Sequence, residues 1–326
     1  MIPQKLKKGD EIRVISPSRS LAIISEKNIP IAKKRLNDLG FKVTFSKNVK
    51  ECDAFNSSSI KSRIEDLHEA FSDKNVKAIL TTIGGFNSNQ LLRYIDWNLI
   101  KSNPKILCGF SDITALSNAI FAKTGVVGYS GPHFSSFSML EGLDYTVEYF
   151  KKCLINSNSY EVTPSKQWSD DEWYLNQIKK RKFIMNKGVI VINEGSAEGT
   201  IIGGNLCTFN LLQGTEYMPS LKNSILFIED DEDTNGLLFD RDLQSLIHLP
   251  DFNSVQGIVI GRFQNTSNMT ESKITKIIKT KKELDKIPVV YGYDFGHTTP
   301  TLTFPIGGRV KLVANGKKSK LDILQH

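Results

Sequence analysis

The chain of 326 residues has few cysteines and no long apolar run. Its four cysteines, at positions 52, 108, 153 and 207, form no C-x-x-C pair and have no histidine at metal-ligand spacing. That pattern argues against a disulfide framework and against a structural zinc site. No stretch approaches the roughly 18 apolar residues of a membrane span, and the N-terminus has no apolar segment of signal-peptide length. We therefore expect a cytoplasmic protein with no membrane contact and no structural metal site.

The positive charge is dispersed rather than concentrated. Lysine and arginine exceed aspartate and glutamate by 7, but the densest basic cluster, QIKKRKF at 177–183, is short. No zinc-finger, RNA-recognition or heptad pattern accompanies it. A solvated, lysine-rich surface is the simpler interpretation, and no nucleic-acid partner is expected. The same charge would help to attract an anionic small substrate.

Strand and helix patterns alternate in the first half of the chain. Apolar strand-like runs occur at 12–16, 41–46, 76–85 and 105–110, with helical spacing between them at 29–40 and 59–73 and a further helix opening at NQLLRYID. This order predicts an α/β fold with a parallel sheet and right-handed crossovers. Ligands of such sheets bind beyond the carboxyl ends of the strands. Residues 1–155 are predicted to form this N-terminal α/β domain.

The pattern changes in the second half. Residues 156–185 are polar, carry two of the three tryptophans, and are predicted to form a linker or a loop that reaches toward the site. Residues 186–326 contain glycine-punctuated strands, helices at 205–213, 238–248 and 270–281, and a terminal hairpin with Asn315-Gly316 at its turn. They predict a second, β-rich α/β domain.

Ser111 stands where the run KILCGF meets the helical stretch ALSNAIFAKTG. A serine at a strand-to-helix corner is the setting of a nucleophile elbow, in which the hydroxyl is exposed at the strand end. Ile113 occupies the place of the second glycine in the G-x-S-x-G motif, so the match is incomplete. Ser111 and Asp112 are also good helix-capping residues, and the local sequence leaves both interpretations open.

A nucleophilic serine needs a base and an acid that orients the base. Among five histidines, His297 is the best placed, because VVYGYDFGH carries it just past a buried strand; His133 is a second possibility. NSILFIEDDED supplies the acid, and Glu229, closest to the strand, is the candidate. Asp230 and the three acids after it are expected to be solvated or, at most, to order the loop. They lack calcium-loop spacing and a nearby histidine or cysteine, so a metal site is not favoured.

Backbone N–H groups supply the remaining requirement, an oxyanion hole. One donor is expected at Asp112, where the start of a helix also favours an anion. The second is expected in Gly84-Gly85-Phe86, with Gly85 as the donor, because glycines let a backbone approach a ligand closely. A tight turn explains the same two glycines equally well.

Five motifs occur in an order that resembles the LD-carboxypeptidase family of serine peptidases: TIGGFNSNQLL, CGFSDITAL, GTIIGGNL, LFIED and YGYDFGHTTP. The similarity runs from KKGDEIRVISPS to the terminal hairpin. It implies a Ser–Glu–His triad at Ser111, Glu229 and His297, an α/β domain that carries the serine, and a β-rich domain that carries the other two residues. It also implies an active site at the interface of the two domains, a homodimer and catalysis without a cofactor.

Two branches of this family differ in substrate. One removes a terminal D-alanine from murein tetrapeptides; the MccF-like branch cleaves the amide between an aspartyl residue and an adenylate, which gives immunity to microcin C. GGFNSN and the insertion around QWSDDEW resemble the second branch more, in which aromatic residues of such a loop stack on the nucleobase. Trp168 and Trp173 are candidates for that role or for anchoring the loop, and Asn87 and Asn205 are candidates for substrate contact. A non-catalytic small-ligand binding protein is the alternative from another class.

Overall fold

The computed structural model describes residues 1–326 and contains sixteen strands and eight α-helices. The strands, numbered in chain order, are β1 Glu11–Ile15, β2 Lys42–Phe45, β3 Val76–Thr81, β4 Ile106–Cys108, β5 Gly128–Ser130, β6 Tyr160–Glu161, β7 Gln167–Trp168, β8 Ile184–Met185, β9 Ile190–Asn193, β10 Gly195–Asn205, β11 Ser224–Glu229, β12 Gly257–Gly261, β13 Val289–Tyr293, β14 Phe304–Ile306, β15 Arg309–Asn315 and β16 Lys318–Gln325. The helices are α1 Asn28–Asp38, α2 Ile60–Ser72, α3 Trp97–Ser102, α4 Ile113–Thr124, α5 Asp144–Leu154, α6 Leu206–Asn210, α7 Gly236–Ile247 and α8 Glu271–Lys279. No helix has the length and apolarity needed to cross a membrane.

The N-terminal sheet has the strand order β14-β5-β4-β3-β1-β2. Its first five strands along the chain are parallel, as the alternation of strand and helix predicts. The sixth strand, β14, comes from the far end of the chain and pairs antiparallel with β5. The sequence predicts that the C-terminal domain starts at residue 186, so it does not predict that β14 joins the N-terminal sheet. The stretch NQLLRYID, expected to open a helix, forms a 3-10 helix over Ser88–Tyr94.

The second sheet has eight strands in the order β6-β16-β15-β10-β11-β12-β13-β9. Its central strands, β10 to β13, are parallel, and the outer strands pair antiparallel. β15 and β16 form the expected terminal hairpin, where Asn315 pairs with Lys318 and Gly316 has a positive φ of 58°. Residues 156–185 do more than link the two sheets, because they contain the edge strand β6 and the separate hairpin of β7 and β8.

The two sheets share one apolar core around α4. A cluster of 40 buried residues includes Ile113, Leu116 and Ile120 of α4 together with Leu206 and Phe209 of α6. Polar contacts reinforce this packing where β10 passes α4. Asn118 accepts from the Gly203 N–H and donates to the Gly203 carbonyl, at 3.1 and 2.8 Å. The helix that follows Ser111 is thereby fixed against the sheet that carries Glu229.

Candidate active site

Ser111 forms a strained corner between β4 and α4. Its φ is +59°, a conformation that costs a non-glycine residue on the order of 1–3 kcal/mol and is concentrated at functional sites. The surrounding glycines make room for it. A methyl group on Gly84 would lie 2.8 Å from Ser111 Oγ, and one on Gly109 would lie 2.2 Å from Thr81 Oγ1. The absence of a side chain at Gly84 of the neighbouring loop therefore leaves space for the Ser111 side chain.

The serine, histidine and glutamate predicted from three distant motifs form one hydrogen-bonded chain. His297 Nε2 lies 3.0 Å from Ser111 Oγ, and His297 Nδ1 lies 2.9 Å from Glu229 Oε2. Glu229 ends β11 and is only 2% exposed, whereas His297 follows β13 and is partly exposed. Gly296, at φ +106°, lets the chain pass closely over Glu229, since a methyl group there would lie 2.6 Å from Glu229 Oε2.

Two opposing effects act on the imidazole of His297. Burial lowers the pKa of His297, but the charge of Glu229 and its hydrogen bond outweigh burial and raise that pKa to about 9. The charges of Asp231 and Asp230 add to the increase. A carboxylate that favours the imidazolium stabilises the form that the base takes after it removes a proton. The site is thus arranged for proton transfer from Ser111.

The backbone beside Ser111 provides unused hydrogen-bond donors. Neither the Gly85 N–H nor the Asp112 N–H donates to an acceptor within the chain. Gly85 has a φ of +156°, and a methyl group there would lie 2.3 Å from Ser18 Oγ, so a side chain is excluded. Asp112 is the residue before the first turn of α4, where the helix dipole favours negative charge. Two free N–H groups near a nucleophile are the elements of an oxyanion hole.

Two models of one protein family match this chain. The family model described as the LD-carboxypeptidase N-terminal domain matches residues 12–131, and that of the C-terminal domain matches residues 198–312. The chain belongs to the LD-carboxypeptidase family. It is therefore a serine-type peptidase, and the resemblance recognised from the five motifs is confirmed.

Relatives match this chain over nearly its whole length. YocD of Bacillus subtilis is 56% identical over 100% of both chains. The microcin C7 self-immunity protein MccF of Escherichia coli is 33% identical over 97% of this chain and 94% of its own. The crystal structure of an MccF-like protein from Bacillus anthracis has 57% identity and a TM-score of 0.99, covering 100% of each chain. These matches confirm the predicted α/β fold with a β-rich C-terminal part.

The two candidate tryptophans have different surroundings. Trp168 lies in β7, where the Arg262 guanidinium stacks on its ring at 4.8 Å. The next residue, Ser169, forms a backbone bridge to Thr299, two positions after His297, through two hydrogen bonds of 2.7 Å. Trp173 instead packs against the core of the N-terminal domain. The structure therefore brings the strand of Trp168 to the histidine loop and uses Trp173 to anchor the segment.

The two candidate asparagines bind neighbouring protein groups. Asn205 is buried; its Nδ2 donates to Asp230 Oδ1 at 3.0 Å, and its Oδ1 accepts from the Thr208 N–H at the start of α6. Asn87 Oδ1 accepts from the Arg63 guanidinium at 3.1 Å. These contacts hold the loops around the site. Contact of either asparagine with substrate stays a prediction.

Asp230 was expected to be solvated, and that expectation is wrong. Its side chain is 1% exposed, because Asn205 and the end of β11 cover it, while Glu232 and Asp233 are exposed as expected. Burial, followed by the charges of Glu229 and Asp231, raises the pKa of Asp230 to about 7. The acidic side chains from Glu229 to Asp233 thus change from buried at the end of β11 to exposed in the loop.

His133, the second candidate base, makes no hydrogen bond to Ser111. Its Nδ1 is 2.7 Å from Thr81 Oγ1, and its ring stacks on Phe110 at 4.4 Å. Burial, with a further contribution from the charge of His297, lowers the pKa of His133 to about 3. His133 is therefore a neutral residue beneath the site, and His297 is the histidine in reach of the nucleophile.

Proposed function

We propose that Ser111 attacks the carbonyl of a small amide substrate while His297 Nε2 takes its proton. The Gly85 and Asp112 N–H groups stabilise the oxyanion, and Glu229 orients His297. The protonated His297 then donates to the leaving nitrogen, which leaves an ester on Ser111 that water hydrolyses by the same route. The hydrogen-bonded chain from Glu229 through His297 to Ser111 carries this proposal. Membership of a peptidase family decides against the binding-only alternative.

We infer that the substrate is an aspartyl-adenylate type of peptide-nucleotide. His297 must protonate the leaving group, so the leaving group lies on the histidine side of Ser111. Trp168 lies on that side through the bridge from Ser169 to Thr299, and a stacked indole is suited to a nucleobase. MccF, 31% identical with a TM-score of 0.90, has been solved in complex with aspartyl sulfamoyl adenosine. This parallel favours detoxification of a microcin C-like compound.

The second candidate activity is release of D-alanine from murein tetrapeptide. It is favoured by a relative, the murein tetrapeptide carboxypeptidase of Pseudomonas aeruginosa, which is 24% identical over 79% of this chain. The proposed triad would serve both reactions, because each breaks an amide. The homodimer implied by the family resemblance likewise stays a prediction, and analytical ultracentrifugation would test it.

The choice of substrate is tested by direct comparison. We expect the protein to cleave aspartyl sulfamoyl adenosine to aspartate and sulfamoyl adenosine with a higher kcat/KM than it shows for D-alanine release from murein tetrapeptide. Both products are quantified by chromatography at matched enzyme concentration. Faster turnover of the tetrapeptide would overturn the adenylate proposal and leave the amidase mechanism in place.

A matched pair of tryptophan variants locates the nucleobase. Trp168→Ala is expected to raise the KM for aspartyl sulfamoyl adenosine, because base stacking contributes about 1–3 kcal/mol, or roughly 5- to 150-fold in affinity. Trp173→Ala should lower the thermal stability instead, since Trp173 packs against the N-terminal core. An unchanged KM in Trp168→Ala, or an equal increase in both variants, would contradict the assignment.

The raised pKa of His297 predicts a specific pH dependence. Only the neutral imidazole accepts the proton of Ser111, so kcat/KM should fall as the pH drops through the pKa of His297, at a midpoint above the ordinary 6.5. Asp231→Asn removes a negative charge that raises this pKa, and the acid limb should move to lower pH while the plateau is kept. A pH–rate profile of both proteins measures this. If the midpoint of the acid limb stayed the same or moved to higher pH in Asp231→Asn, the charge of Asp231 would not be what raises the pKa of His297.

A further inference from the structure

The carboxylate of Asp112 is buried and accepts three hydrogen bonds. Oδ2 accepts from Ser18 Oγ at 2.6 Å, from the Ser88 N–H at 2.8 Å and from the Asn87 N–H at 3.0 Å. The Asp112 carbonyl accepts a fourth bond, from Ser88 Oγ at 2.7 Å. The side chain is 2% exposed overall. One residue beside the nucleophile therefore binds two other loops.

Helix capping does not explain this carboxylate. Asp112 stands immediately before α4, yet its side chain accepts no hydrogen bond from the first turn of that helix. Every bond to Oδ2 comes instead from the loops that follow β1 and β3. A capping residue normally accepts from the N–H two or three positions later. The Asp112 carboxylate thus connects the elbow to two other loops and does not cap α4.

The two free N–H groups of the oxyanion hole lie on different loops. Gly85 follows β3 and Asp112 follows β4, so no short covalent path fixes the distance between their N–H groups. Asp112 supplies one of these donors, and through Asn87 and Ser88 its carboxylate binds the loop that supplies the other. Arg63 also binds Asn87, but it lies on α2 and makes no hydrogen bond to the elbow.

We propose that the carboxylate of Asp112 is a positioning group that sets the oxyanion hole. It holds the Gly85 loop at a fixed distance from the elbow before substrate arrives. Its negative charge would itself repel a developing oxyanion, so its benefit must come from the geometry that it imposes. This inference rests on the proposed function, because it assigns the two N–H groups to the oxyanion.

A pair of variants separates geometry from charge. Asp112→Ala removes the acceptor and is expected to lower kcat for the substrate that the wild type turns over by about 100-fold or more, with a much smaller change in KM. Asp112→Asn keeps an oxygen acceptor at the Oδ2 position and, because Oδ1 accepts no bond from the protein, can place its amide nitrogen there. We expect Asp112→Asn to restore kcat to within about tenfold of the wild type.

Binding of an oxyanion mimic provides the readout that general destabilisation would not reproduce. A boronic acid that forms a tetrahedral adduct with Ser111 should bind Asp112→Ala more weakly by about the factor lost in kcat. The KM and the midpoint of the acid limb should stay near the wild-type values, since His297 and Glu229 are untouched.

Asp66→Ala is the control variant. Asp66 is also buried and accepts a hydrogen bond from a loop N–H, that of Asn48, but it lies outside the site. It should lose stability and keep kcat.

Three results would overturn the positioning role. They are a folded Asp112→Ala with wild-type kcat, equal losses in Asp112→Ala and Asp112→Asn, and equal weakening of substrate and boronic acid. Failure of the proposed function has a different signature. In that case the wild type cleaves neither the adenylate nor the murein substrate, or Ser111→Ala remains active.

Discussion

Ser111→Ala is expected to lower kcat by about 10⁴-fold or more while the protein still binds its substrate. The variant removes the only side-chain oxygen within hydrogen-bonding distance of His297 Nε2. Loss of a triad nucleophile leaves only the rate enhancement supplied by the oxyanion hole and by substrate binding. Turnover is measured with aspartyl sulfamoyl adenosine, and calorimetry with the inactive variant gives its affinity.

Ser117→Ala is the matched control for this experiment. Ser117 is also a buried serine near the start of α4, but its Oγ has no hydrogen-bond partner and does not contact His297. Its replacement should leave kcat close to that of the wild type. If a folded Ser111→Ala protein turned over substrate at the wild-type rate, Ser111 would not be the nucleophile.

The second large effect is expected for Glu229→Gln, with a loss of about 10³–10⁴-fold in kcat and a stable fold. The glutamine amide can donate to His297 Nδ1, which would place the ring proton on Nε2, facing Ser111. In that tautomer the imidazole cannot accept the proton of the serine. The same change removes the charge that raises the pKa of His297, so the acid limb of the remaining activity should move to lower pH.

Asp230→Asn is the control for charge alone. Asp230 is buried beside Glu229, contributes to the raised pKa of His297, and makes no hydrogen bond to the ring. Because its own pKa is raised to about 7, it is only partly ionised at neutral pH. Its loss should be much smaller than that of Glu229→Gln. Equal losses would mean that nearby negative charge matters and that orientation of the ring does not.

The sequence is informative about the parallel part of the fold, because each strand and helix there has its own periodicity. The pattern does not reveal pairing between distant segments. β14 has only three residues, and one of them is Pro305. Its Phe304 pairs with Ser130 of β5, which lies 174 positions earlier in the chain. These residues are extended because they pair with β5, so the local sequence does not predict a strand there. For the same reason, the edge strand β6 lies in a segment that the sequence predicts to be a linker or a loop.

Strand ends also explain how far the site could be predicted. Glu229 ends β11 and His297 follows β13 in the second sheet, whereas Ser111 follows β4 in the N-terminal sheet. The rule that ligands bind beyond the carboxyl ends of parallel strands applies to each sheet separately, and Ser111 lies at the carboxyl edge of the N-terminal sheet. Ser18, which follows β1 in SPSRS, lies at the same edge and could have been found by this rule. The burial of Asp230 could not, since Asn205 covers it from 25 positions away. The role of the Asp112 carboxylate likewise depends on loops that lie far from it in sequence.

The central claim is that Ser111 becomes acylated during cleavage of an aspartyl-adenylate type amide. Mass spectrometry of the wild-type protein, quenched with acid during turnover of aspartyl sulfamoyl adenosine, tests it most directly. We expect an added aspartyl group on the peptide that contains Ser111 and none in Ser111→Ala. An aspartyl adduct on any other residue, or release of sulfamoyl adenosine by Ser111→Ala at the wild-type rate, would contradict it.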